Sequence, residues 1–334
     1  MANQPDKHGF AIIGCGQMGH LHARRLLADG RGRVAALYDQ SNTMAEQLCD
    51  GLPGDVRVFS TWDELMNRTE IEAAIICTPT TFHFEQAKAC LDRGWHVLCE
   101  KPLADSRERI LGLINASKDG RLNLSVAYQR RSWATYRRMH DEFRSGRCGE
   151  LQSIHSFNAE RWQQTIAGTW RDDPTFNAGG FVTDAGSHKI DAAFFVTGRH
   201  PTEVFATSDK CRSRVEIRTS VVAELEGRVP LVINFIGNSE SFFEDLHVHC
   251  SKADLILRDE RLWIARDNQL EEISIPPDEI GLDSKTNPVS AFVDLIEGQS
   301  PNIAPPECAL PVFDFTKAVL ESSATGQSVR ISSR

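Results

Sequence analysis

Between Phe10 and Val126, short apolar runs alternate with helical patterns. Phe10–Ile13, Arg33–Tyr38, Val56–Val58, Ala73–Cys77, Trp95–Cys99 and Leu122–Val126 read as six strands. Helical spacing runs from Gly14 to about Ala28 and recurs at Thr43–Cys49, Phe82–Asp92 and Ser106–Lys118. Strands this apolar, separated by helices, predict a parallel sheet covered on both faces.

After Gln129 the texture changes. A helix pattern at Trp133–Ser145 leads into stretches that alternate polar and apolar residues: Leu151–Arg161, Thr202–Thr207, Val215–Glu224, Leu231–Gly237, Leu246–Cys250, Leu255–Arg258 and Leu262–Ala265. Alternation of this kind marks an antiparallel sheet with one wet face. A helix at Asp184–Thr197 interrupts the strands, and helices at Pro288–Glu297 and Pro306–Ala324 close the chain. The expected organisation is α/β, with a doubly wound domain over residues 1–128 and an α+β domain over residues 129–334. An open sheet with an exposed apolar face needs a cover, which predicts a homo-oligomer.

Composition narrows the class. A chain of 334 residues suits two domains. Its 41% hydrophobic and 25% charged residues are those of a globular protein and exclude wholesale disorder. No apolar run approaches the ~18–20 residues of a membrane helix. The start, Met1–Lys7, is polar and lacks a signal-peptide core. The net charge of −9 is spread along the chain, without the basic stripe of a nucleic-acid binder. Nine scattered cysteines with no C-x-x-C read as reduced thiols in a cytoplasm. There is no Walker loop, H-E-x-x-H or G-x-S-x-G.

The first candidate chemistry is the run Gly14-Cys15-Gly16-Gln17-Met18-Gly19, a G-x-G-x-x-G between a strand and a helix. Gly14 would make the tight turn, Gly16 admit a pyrophosphate, and Gly19 let the helix approach the strand. Gln17 and Met18 open that helix, whose free N–H groups would face the phosphates. Asp39 ends the second strand, where its carboxylate would accept from both ribose hydroxyls and repel a 2′-phosphate. Gln40, Ser41 and Asn42 offer no positive charge, so NAD is favoured and NADP stays open. Capping the next helix is the plainer role for Asp39.

Two turns follow at the same carboxyl edge. In Cys77–His83, Thr78, Pro79 and His83 are candidates to contact the nicotinamide half, against a turn that only caps. In Glu100-Lys101-Pro102, Lys101 would donate to the reacting oxygen and the nicotinamide ribose, against an ordinary surface turn. In the second domain, Gly179-Gly180 leads into Asp184, His188 and Asp191. On a helix, Asp184 and His188 stand at i and i+4, with Asp191 on the same side. His188 would take an alcohol proton, and Asp184 would orient the hydroxyl and stabilise the imidazolium. A capping cluster around a buried histidine is the alternative. Gln129 and Arg130 at the crossover, and Arg161 and Trp170 beside Trp162 and Arg171, suit sugar hydroxyls and ring faces; hinge and loop packing would use the same residues. His155 on its strand is placed toward the cleft. His247 and His249 share a strand face, but their ligand set is incomplete and no metal is expected.

In order and spacing, the Gly14–Gly19 loop, the Thr78-Pro79…His83 turn, Glu100-Lys101-Pro102 and Gly179-Gly180…Asp184…His188…Asp191 resemble the glucose–fructose oxidoreductase / inositol dehydrogenase (Gfo/Idh/MocA) family over nearly the whole chain. The resemblance implies a Rossmann domain followed by a domain with a large, open, mostly antiparallel sheet. In the family the outer face of that sheet commonly joins subunits, which implies a homodimer or homotetramer. It also implies a sugar or polyol substrate, with Lys101, Asp184 and His188 as catalytic trio. The expected activity is hydride transfer between a nicotinamide cofactor and a secondary alcohol. The rival readings are a glycosidase that keeps NAD bound and a non-catalytic NAD or sugar sensor.

Overall fold

The structure, a computed structural model, describes residues 7–280 and 284–332. Most of the polar start, Met1–Asp6, lies outside them.

Six strands, β1 (His8–Ile13), β2 (Gly32–Tyr38), β3 (Arg57–Phe59), β4 (Ala73–Ile76), β5 (His96–Cys99) and β6 (Leu124–Val126), form one sheet in the order β3-β2-β1-β4-β5-β6. Every pairing is parallel. The order reverses between β1 and β4, the switch point outside which doubly wound folds bind ligands. Helices α1 (Gln17–Asp29), α2 (Asn42–Asp50), α3 (Trp62–Met66), α4 (Thr80–Asp92) and α5 (Arg107–Gly120) connect the strands. Phe10, Ile12, Leu26, Leu37, Ile75 and Leu98 are buried in one core, each worth roughly 1.5–3 kcal/mol of transfer free energy. The sequence pattern missed α3, which is too short to show a period. It is held by a capping box, in which Thr61 Oγ1 accepts from the Glu64 N–H and the Glu64 carboxylate accepts from the Thr61 N–H.

The second unit opens with α6 (Ala134–Arg144), β7 (Leu151–Ala159), α7 (Trp162–Ile166), α8 (Gly180–Thr183) and α9 (Ala185–Thr197). Strands β8 (Pro201–Asp209), β9 (Arg218–Leu225), β10 (Val229–Ile236), β11 (Phe243–Cys250), β12 (Asp254–Arg258), β13 (Arg261–Arg266) and β14 (Gln269–Ile273) follow. The last strand of the chain, β15 (Val329–Arg330), completes a sheet in the order β14-β13-β12-β11-β7-β10-β9-β8-β15. Only β7 and β10 pair in parallel; the other neighbours run antiparallel. Strand β14 went unread because its residues are almost all exposed, so no apolar alternation marks it. The turns on either side of β13 hold Asp259-Glu260 and Asp267-Asn268 at positive φ, the conformation that tight hairpins require.

Helices α9 and α6 pack on this sheet at β7 and β12. Its outer face leaves Phe157, Phe205 and Val222 exposed. His155 sits there too, two residues before Phe157 and directly opposite His247, because side chains alternate strictly along a strand. It does not face a cleft.

The continuous second domain expected over residues 129–334 needs correction. The described residues fall into two compact units, drawn from 1–128 with 285–308 and from 129–284 with 309–334. The chain returns because α10 (Pro288–Ile296) buries Val289, Phe292 and Val293 in the core of the first sheet. Phe292 meets Phe10 edge to face at 6.4 Å. The segment that follows covers the β6 edge, where the Val126 N–H donates to the Ala304 carbonyl at 2.9 Å. The chain then re-enters the second unit with α11 (Ala309–Thr325), which packs on β8. No helix among the described residues is long and apolar enough to cross a membrane.

Truncating Phe292 to Ala should cost about 3–5 kcal/mol, since it opens a cavity at the centre of this core. Denaturant unfolding followed by circular dichroism checks this; a loss under about 1 kcal/mol would show that α10 is dispensable to the first unit.

Candidate active site

The glycine loop divides its tasks as its residue types require. Gly14 has φ +92°, and a Cβ there would lie 2.7 Å from the Thr78 nitrogen. A Cβ on Gly19 would lie 2.2 Å from the Gly14 carbonyl oxygen. These two glycines therefore allow β1, α1 and the residue 77–78 turn to touch. Gly16 differs: a Cβ there would meet nothing within 4 Å. It is the N-cap of α1 and makes no side-chain cap, so the first N–H groups of the helix take no capping bond from it. Asp39 lies just beyond β2 and accepts from the Cys15 N–H at 2.7 Å and the Ser41 N–H at 2.9 Å. The N-cap of α2 is Ser41, not Asp39. A carboxylate beside an uncapped helix start, with open space at Gly16, fits the ribose and pyrophosphate of a dinucleotide.

The two edge turns are tied together. His83 is buried, with Nδ1 2.8 Å from the Pro102 carbonyl oxygen and Nε2 2.7 Å from that of Thr78. Burial pushes its pKa down, against two carbonyls that favour the charged ring. Set between these two carbonyls, His83 braces one turn against the other. Pro79 is the N-cap of α4, and the Thr78 hydroxyl donates to Gln86 Oε1 at 2.6 Å. Glu100 is buried and lies 2.8 Å from His22 Nε2, on α1. Burial would raise its pKa, but the His22 hydrogen bond and charge, with Lys101 beside it, hold the carboxyl below its ordinary range. Lys101 follows, half-buried, and its peptide bond to Pro102 is cis.

In the second unit the sequence predicts one helix from Asp184 to Thr197. Helix α9 runs over Ala185–Thr197, and Asp184 stands just before it, between the single turn of α8 and α9. Asp184 is the N-cap residue of α9, yet its side chain makes no capping hydrogen bond. Its Oδ2 accepts from Arg171 Nε at 3.0 Å and from the Trp162 indole at 3.3 Å. The Arg171 guanidinium lies over the half-buried Trp170 ring, 4.4 Å from its centroid. His188 stands buried in the first turn of α9. Asp191 departs from the pattern: it is fully buried and takes two-pronged donation from Arg131 at 2.8–3.0 Å.

Arg130, a candidate substrate contact, is instead buried in an ion pair with Glu244, which also accepts from the Tyr136 hydroxyl and from Lys189 Nζ. Lys189 reaches Glu160 as well, at 3.1 Å. Burial alone would raise the Glu244 pKa, but the charges of Arg130 and Lys189 win and hold it well below the carboxylate range. Sequence reasoning missed this cluster. A lysine beside His188 in a helix otherwise buried was its one signal, since a buried charge needs a partner. Gln129 is better placed for a ligand: its side-chain oxygen is buried and has no hydrogen-bond partner among the described residues. Arg161 is exposed, 3.9 Å from Glu240. No group of three or more His, Cys, Asp or Glu among the described residues could hold a metal ion.

Family comparison agrees with both halves of this architecture. Residues 8–128 match the oxidoreductase family with an NAD-binding Rossmann fold, and residues 136–256 match the Gfo/Idh/MocA C-terminal domain. Together the matches take in well over half of the chain, and the protein belongs to the Gfo/Idh/MocA family of NAD-binding oxidoreductases. An inositol 2-dehydrogenase of Rhizobium meliloti (strain 1021) is 25% identical over 75% of this chain and 76% of its own. A 1,5-anhydro-D-fructose reductase of Ensifer adhaerens is 26% identical over 80% of this chain and 82% of its own. The crystal structure of an oxidoreductase domain protein from Kribbella flavida has the same fold, with a TM-score of 0.88 at 20% identity over 98% of this chain and 99% of that one.

Glu244→Ala leaves Arg130 and Lys189 buried without a counter-charge and should cost about 3–5 kcal/mol. Because the fold depresses the Glu244 pKa, its share of stability is present above the unfolded value of 4.5 and is lost as pH falls below it. Urea unfolding between about pH 3 and 7 should therefore show a shallower acid decline in E244Q than in the parent. Parallel curves would assign the acid loss to other carboxylates.

Proposed function

We propose that the protein oxidises a secondary alcohol of a sugar, cyclitol or related polyol, with NAD as the electron acceptor. The observation that carries this reading is Lys101, half-buried just beyond the carboxyl end of β5 and next to a carboxylate that His22 holds. A cation there suits an alkoxide-like oxygen. The family supplies the redox class, and two relatives are named for a cyclitol and a sugar.

NAD, held at the glycine loop and Asp39, would supply the acceptor for the hydride of the carbinol carbon. Lys101 polarises the reacting oxygen or shares the proton with His188. His188 takes the hydroxyl proton, and Asp184, anchored by Arg171 and Trp162, orients the hydroxyl. Gln129, through its unpartnered oxygen, and Trp170 and Arg161 bind the remaining hydroxyls and the ring. Gly14, Gly16, Gln17, Met18 and Gly19 hold the pyrophosphate, and the Thr78–Pro79 turn meets the nicotinamide half. Asp39 favours NAD, because its carboxylate accepts from ribose hydroxyls and repels a 2′-phosphate. The outer face of the large sheet, with Phe157, Phe205 and Val222, joins two or four copies of the chain. Nine free thiols suit a reducing cytoplasm.

Purified protein offered inositols, aldoses, amino sugars and sugar acids should build up reduced nicotinamide with at least one of them. The kcat/KM with NAD should exceed that with NADP by about tenfold or more. His188→Ala should lower the signal by about 10²–10⁴-fold. Undiminished turnover in H188A, or a preference for NADP, would contradict the assignment.

A further inference from the structure

Glu216 is a buried carboxyl that the proposed chemistry does not use. Alternation predicts a strand from Val215, yet β9 begins only at Arg218. The cause is local. The Glu216 carbonyl accepts from the Phe181 N–H at 2.9 Å, and its Oε2 accepts from the Val182 N–H at 3.0 Å. Its Oε1 accepts from the Thr219 hydroxyl at 2.6 Å. At Glu216 the backbone thus bonds to α8, while at Ile217 it already pairs with Asp209 and Gly237 on either side.

These bonds answer a need of α8. Gly179, its N-cap, offers no capping side chain, so the first N–H groups of the turn need partners from elsewhere. Glu216 supplies two of them. Gly180, at φ +60°, admits the close approach, since a Cβ there would lie 2.2 Å from the Glu216 carbonyl oxygen. At the other end of α8, the Asp184 N–H donates to the Gly180 carbonyl at 3.1 Å. One hydrogen-bonded turn therefore separates Glu216 from Asp184.

We propose that Glu216 is a positioning residue, whose buried carboxyl fixes the single helical turn that presents Asp184. The proposal rests on the catalytic reading of Asp184 given above. The groups that face the carboxyl are the N–H groups of Phe181 and Val182 on α8 and the Thr219 hydroxyl on β9, all uncharged. Burial accordingly pushes the acid up to about 7, with those hydrogen bonds pulling it down. The turn is held by a group that changes charge near neutrality.

Trp162 reports on the turn without any turnover, because its indole N–H donates to Asp184. In the full chain, emission specific to Trp162, taken as the difference from W162F, is followed between about pH 5.5 and 8.5 without substrate. A transition centred near pH 7 that E216Q abolishes is the expected result. In turnover, E216A should lower kcat by about tenfold or more while the KM for NAD stays within about twofold. E216Q, which keeps an oxygen for the Val182 N–H, should recover kcat to within about threefold on the acid side, where the parent carboxyl is neutral. A flat Trp162 signal, a transition that survives in E216Q, or parental kcat in E216A would each overturn the proposal. If E216A fails to fold, the E216Q comparison decides alone. Full turnover in D184A would refute the catalytic reading of Asp184 and leave the fluorescence test standing, so the two failures are distinguishable.

Discussion

A side chain at residue 19 would press its Cβ to 2.2 Å from the Gly14 carbonyl oxygen. Much of the carboxyl edge of the parallel sheet depends on that missing atom. With it absent, α1 starts hard against the end of β1, and its uncapped N–H groups open where Gly16 leaves space. The same placement lets the Cys15 N–H meet Asp39, so the loop and that carboxylate form one piece. One turn further along α1, His22 reaches Glu100, the residue before Lys101. The glycine loop, Asp39 and the residue before Lys101 thus all meet at the start of one helix.

The second unit solves a different problem. Helix α9 is buried on nearly every side, yet it carries His188, Lys189 and Asp191. Each of the two charges has a buried partner: Lys189 pairs with Glu244, and Asp191 with Arg131. Such pairs give back little net stability, because desolvation consumes most of the Coulomb gain. They do penalise any other rotation of the helix, since a displaced charge would stand unpaired in a dry core. That penalty holds His188 in one orientation, and at the helix start the Glu216 bonds give the Asp184 turn a comparable constraint.

The sequence made the strands legible wherever burial repeats with a short period. All six parallel strands and most of the antiparallel ones are visible as apolar runs or alternation. Strand β14 and helix α3 are not, because one is wet on both faces and the other is a single capped turn. The glycine loop, Asp39, Lys101, Asp184 and His188 stand out because each lies beside a punctuating residue or at the end of an element. Partners far along the chain leave no such mark. Nothing local distinguishes Arg130, which pairs with a residue 114 positions away, from Gln129, whose buried oxygen has no hydrogen-bond partner among the described residues. The return of α10 is hidden for the same reason: its apolar stripe shows that it packs, not on which sheet.

The proposed chemistry places Lys101 in the chemical step. Its direct test is a paired measurement on Lys101→Ala, with NAD affinity by calorimetry and turnover on the best polyol found for the parent. The expected result is a Kd for NAD within about threefold of the parent and a kcat lower by about 10²-fold or more. Full turnover with NAD still bound would contradict it.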